Sequence, residues 1–149
     1  NIWTTRPKCG DGYKLMLKKK EQNDDEELFR DDGYLKECEA TVTAASEAGI
    51  VLDQTVFYYT SGGQPGDIGT LTTADGVGID IVDTRKDRES GTYLHVPAEG
   101  SPTLAVGDKL TARINWEQRH RYMRMHTCMH LLCSVIDGGV TGGSISNGI

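Results

Sequence analysis

No apolar stretch of this sequence approaches the roughly 20 residues that a membrane-spanning helix requires, so no helical membrane span is expected. Its four cysteines, Cys9, Cys38, Cys128 and Cys133, have neither the spacing of a disulfide framework nor a C-x-x-C pair. Reduced thiols in a cytoplasmic compartment are therefore expected. Positive charge is also short: 16 Lys and Arg face 22 Asp and Glu, a formal net charge of −6. A broad grip on nucleic acid needs clustered cations, so any such contact must rest on a local basic patch. The first residues, Asn1-Ile2-Trp3-Thr4-Thr5-Arg6, are polar, lack an initiator Met and contain no signal-peptide apolar core; a processed or trimmed start is expected.

What is present fits a globular protein. The 149 residues are enough for one ordinary domain or two small ones. Residues 1–27 have no clear period and carry a basic run, Lys18-Lys19-Lys20, ahead of an acidic one, Asp24-Asp25-Glu26-Glu27; they read as a solvated extension. From Leu28 the character changes. Short segments rich in β-branched and aromatic residues predict strands over Glu39–Ala44, Gly49–Asp53, Thr55–Tyr59, Gly69–Leu71, Val77–Val82, Thr92–Val96 and Lys109–Ile114. Many short strands about ten residues apart suggest a small barrel or sandwich. Between them, Ser61-Gly62-Gly63-Gln64-Pro65-Gly66-Asp67 is dense in turn formers. After Asn115 the period becomes helical, with apolar positions at Tyr122, Met125, Met129, Leu132, Cys133 and Ile136. Asn115 and Gln118 have the spacing of a capping box, and Asp137-Gly138-Gly139 would end the helix. A glycine-rich strand or loop, Val140–Ser146, follows.

The sharpest chemical feature is His126 and His130, four residues apart and so on one helix face. Two imidazoles placed this way can share a zinc ion, although a zinc site takes three or four protein ligands. Thr127 stands where the H-E-x-x-H motif has its general base. Two hydrogen-bonded histidines on a partly buried face would have the same spacing. Arg113, Arg119, Arg121 and Arg124, with His120, make the only local basic cluster; Arg can pair bidentately with phosphate, and a solvated helix face is the alternative. The glycine run lacks the endings of a P-loop or dinucleotide fingerprint, so tight turns are expected, with Gln64 the residue there most able to read a ligand. Cys128 points away from the histidines; Cys133 could share their face, but a buried apolar role is expected.

Three blocks combine: Leu52-Asp53-Gln54-Thr55-Val56-Phe57-Tyr58, Gly62–Gly69, and Arg124-Met125-His126-Thr127-Cys128-Met129-His130-Leu131-Leu132. In order and spacing, over about residues 28–146, they resemble the editing region of alanyl-tRNA synthetase and the free-standing alanyl-tRNA editing proteins of AlaX type. The resemblance implies an α+β protein: a small N-terminal β-barrel over residues 28–115, followed at residues 116–149 by the beginning of an editing domain. It implies zinc held by His126 and His130 with two further ligands past Ile149, and Thr141, Ser144 and Gln64 as substrate-binding residues. The chain departs from the family in residues 1–27, in Tyr59 where Pro or another residue is usual, and in ending before the second ligand pair, as a truncated product would. The implied activity is an ATP-independent aminoacyl-tRNA deacylase serving translation fidelity, acting on alanine tRNA misacylated with serine or glycine. Arg119, Arg121 and Arg124 would contact the RNA. A non-catalytic tRNA- or protein-binding fragment is the alternative, and no catalytic side chain is assigned.

Overall fold

The computed structural model describes residues 26–136 and 142–146. Two-residue periodicity builds most of it. In β2 (Glu37–Ser46), Ala40 and Val42 point inward; in the strand Lys109–Ile114 (β8), Leu110, Ala112 and Ile114 do the same. Between them in sequence lie β3 (Gly49–Leu52), the short β4 (Gln54–Thr55), β5 (Gly69–Thr73), β6 (Gly78–Lys86) and β7 (Tyr93–Pro97). Six strands close into an antiparallel barrel in the order β2-β3-β7-β6-β5-β8, with β8 returning to pair β2. Closure removes the edges that an open sheet would leave unpaired. The inward side chains, among them Leu52, Val56, Phe57, Leu71, Ile79 and Ile81, fill the interior as one cluster.

Thr55–Tyr59 is not a full strand: only Gln54 and Thr55 pair, in parallel, with Glu26–Glu27 (β1). Val56 and Phe57 then plunge into the core with no accessible surface, and Tyr58 opens the glycine loop. Glu26 and Glu27 belong to this small sheet rather than to a solvated extension, and a one-turn helix, Leu28–Asp31 (α1), follows. It seats Phe29 edge-on against Tyr58, Tyr59 and Tyr93.

The long helix α2 runs Trp116–Val135. The Asn115 side chain accepts from the Gln118 backbone N–H at 3.1 Å, the N-cap bond the sequence predicts. The reciprocal half of the box is absent: the Gln118 amide instead donates to the Tyr122 hydroxyl at 2.9 Å. The apolar stripe is also not a buried stripe. Only Arg119 and Tyr122 are buried along α2, whereas Met125, Leu131, Leu132, Val135 and Ile136 are 40–81% exposed. Cys133, expected in an apolar environment, is exposed. Among the described residues no helix is long and apolar enough to cross a membrane.

Candidate functional site

Ser61-Gly62-Gly63-Gln64 is a tight turn. Ser61 and Gln64 exchange backbone hydrogen bonds of 3.1 and 2.9 Å. Gly62 and Gly63 have φ of 59° and 77°, the left-handed pair that such turns require and that favours glycine. Asp67 closes the loop. Its N–H donates to the Tyr58 carbonyl at 2.8 Å, and its carboxylate accepts from the Tyr58 N–H at 2.8 Å. A register shift in β6 between Ile81 and Asp83 turns Thr84 inward. Thr84 then holds the loop twice, its hydroxyl donating to the Asp67 carbonyl and its carbonyl accepting from the Thr60 N–H, both at 2.9 Å.

The helix meets this loop through a buried ion pair. Arg119 Nε lies 3.3 Å from Asp67 Oδ2, and the two side chains are 4% and 2% exposed. The guanidinium also sits 5.8 Å from the Tyr58 ring centre. Burial raises the Asp67 carboxyl to about 6, outweighing the lowering by Arg119 and by the Tyr58 N–H. Two turns beyond Arg119 on the same face is His126. A Cβ placed on Gly62 would be 3.8 Å from His126 Cε1 and 4.0 Å from the Tyr58 hydroxyl, so imidazole and phenol flank one glycine. The His126 and His130 rings are parallel within 16°, their centres 4.9 Å apart. His126 is half-buried and His130 exposed.

The terminal loop, residues 142–146, completes the junction. Ile145 N–H donates to the Gly63 carbonyl at 2.7 Å. A side chain on Gly63 would overlap the Gly143 carbonyl oxygen, with Ser144 Cα next to it. Ser144 is exposed and borders a cavity of about 540 Å³ with Arg121, Met125, Met129 and Leu132.

The predicted residues thus divide. His126 lies beside Gly62 and stacks on His130; Gln64 stands in the same glycine turn but is 6% exposed, and Ser144 lies beside Gly63. Thr141 lies outside the described residues. The basic cluster comes apart: Arg113 pairs with Glu37 on the barrel wall at 2.6 Å, Arg119 is enclosed with Asp67 and out of a phosphate's reach, and Arg121 and Arg124 are exposed. His120 stacks on Trp116. Asp67, Tyr58 and His95 carry no local sequence signal for their roles, which depend on distant partners. His95, on β7, is wholly buried. Its Nδ1–H donates to the Ile50 carbonyl at 2.9 Å, leaving Nε2 to accept from Thr55 Oγ1 at 2.8 Å. Burial lowers it to about 4, so this ring is a neutral core hydrogen-bonder.

A tetrahedral zinc site takes four donors, of which His126 and His130, one turn apart, could provide two. Among the described residues no group of three or more His, Cys, Asp or Glu side chains forms a metal site.

The model of the family tRNA synthetases class II (A) matches residues 17–118, and the chain belongs to that family. Within it, the chain is similar to alanyl-tRNA editing protein AlaX-M of Pyrococcus horikoshii, 41% identical over 110 residues, covering 74% of this chain and 48% of the relative. AlaX-M of Methanosarcina mazei is 43% identical over 116 residues, covering 75% and 46%. An alanine–tRNA ligase of Saccharolobus islandicus is 34% identical over 108 residues, 72% of this chain and 12% of the ligase. The chain spans about half the length of the AlaX-M relatives it matches.

Proposed function

We propose that the chain is the barrel-and-helix portion of an alanyl-tRNA editing protein, a deacylase that hydrolyses the ester joining serine to mischarged alanine tRNA. The observation that carries this is the His126–His130 pair opening beside Gly62 of the glycine loop. The names of the relatives, editing proteins for alanyl-tRNA, agree with it. Editing is chemically required here, because a pocket sized for alanine rejects an added hydroxyl poorly and a second site must remove the error.

His126 and His130 would hold zinc, with further ligands from outside the described residues. Bound there, zinc would supply Lewis-acid polarisation of the ester carbonyl or an activated water. Thr141 or Ser144 would hydrogen-bond the serine hydroxyl, a partner alanine lacks, and Gln64 would line the amino-acid side from the barrel. Arg121 and Arg124 would pair with the terminal phosphates; their local charge lets an acidic protein meet RNA at one face.

The test is deacylation of Ser-tRNA and Gly-tRNA by a protein extended to the length of the relatives. Loss of activity in a His126→Ala, His130→Ala double variant is expected; undiminished activity overturns the metal role. The two-histidine donor set favours a second reading for the 149 residues alone, a non-catalytic tRNA- or protein-binding piece. Zinc content after chelator dialysis separates the two, since two ligands do not retain stoichiometric metal.

A further inference from the structure

We propose that Asp67 and Arg119 are a positioning pair, fixing His126 and the Tyr58 hydroxyl together beside Gly62. The proposal's relevance to catalysis rests on the deacylase reading; its geometry does not. Asp67 clasps both ends of the glycine loop through Tyr58. Arg119 ties that clasp to the helix face that carries His126. Tyr58 lies under the same guanidinium, and its hydroxyl reaches the point by Gly62 that His126 Cε1 also approaches. One ion pair therefore sets loop, phenol and imidazole together.

Stability alone does not account for the pair. Arg119 Nη1 is buried and meets no hydrogen-bond acceptor among the described residues, a cost that an apolar side chain of similar volume would avoid. Buried ion pairs are often replaceable by such side chains with no loss of stability. What an apolar replacement gives up is direction: packing is tolerant of small rotations, whereas a carboxylate held by a backbone N–H and a guanidinium is not. Displacements of about 1 Å at a reacting group can lower rates by about 100-fold, so a junction that aims an imidazole has reason to keep the charges.

The experiment uses the whole 149-residue chain with ¹³C-labelled histidine. In the wild type, a cross-relaxation peak between His126 Hε1 and the Gly62 α-protons is expected. Arg119→Met should abolish it while the His95 resonances, inside the barrel, keep their wild-type shifts. Arg119→Lys, which restores the cation, should bring it back at reduced intensity. A peak of wild-type intensity in Arg119→Met overturns the proposal. If Arg119→Met loses the His95 signature and so has not folded, Asp67→Asn is read by the same two criteria. Failure of the deacylase reading looks different: an extended wild-type protein without deacylation, with the cross-peak intact.

Discussion

At the scale of single residues, two buried titrating groups pull stability in opposite directions. His95 is held near 4 in the fold against an ordinary value of about 6.5. Its contribution is complete above pH 6.5 and is lost as pH falls toward 4, because the unfolded chain takes up a proton that the fold refuses. Asp67 is raised from 3.8 to about 6; its contribution is complete below pH 3.8 and is lost as pH rises through 6. Between about pH 4 and 6 the two slopes, each at most about 1.4 kcal/mol per pH unit, largely cancel. Asp67→Asn leaves His95 unopposed. Urea unfolding at pH 6, 5 and 4 should show this variant losing stability on acidification more steeply than wild type; parallel curves would contradict the assignment. Gly63 offers a second residue-level test. With φ of 77° and the Gly143 carbonyl where a side chain would go, Gly63→Ala should cost about 1–2 kcal/mol in backbone conformation alone. It should also release the Ile145 amide, so hydrogen exchange at Ile145 should accelerate while the amides of β8 stay protected.

At the scale of elements, the sequence was most informative where one face meets the core and the other meets water. Lys109–Ile114 alternates Leu110, Ala112 and Ile114 inward and is read correctly from that pattern. Thr55–Tyr59 is not, since β-branched and aromatic residues describe both a strand and a segment that dives through the core. The helix was legible in its position and cap but not in its burial. Periodicity says that Tyr122, Met125, Leu132 and Ile136 recur on one side of α2; it does not say that a neighbour covers them. The cap itself is testable. Asn115→Ala removes the acceptor for the Gln118 N–H and should lower stability by about 1 kcal/mol in thermal or urea unfolding, without altering the barrel's near-ultraviolet spectrum.

For the molecule as a whole, the closed barrel and the last turns of α2 differ in kind. The barrel buries its apolar side chains on itself. The helix presents Leu131, Leu132, Val135 and Ile136 at 57–81% exposure, an apolar surface unusual for a folded chain standing alone. The 149-residue chain should therefore bind a hydrophobic dye such as anilinonaphthalene sulfonate, and Leu132→Glu with Val135→Glu should reduce the fluorescence at least twofold without changing barrel stability. Equal fluorescence would place the dye elsewhere. Local pattern by itself determined the alternation of the strands, the tight glycine turn, the cap at Asn115 and the one-turn spacing of His126 and His130, because each depends on residues only a few positions apart. The tertiary structure alone decided that β8 closes on β2, that Arg119 leaves the basic cluster to join Asp67, that His95 is a neutral core group and that His126 faces Gly62. Those contacts join residues 40 to 76 positions apart, and no local period in a chain records which distant partner will remove a charge or an imidazole from water.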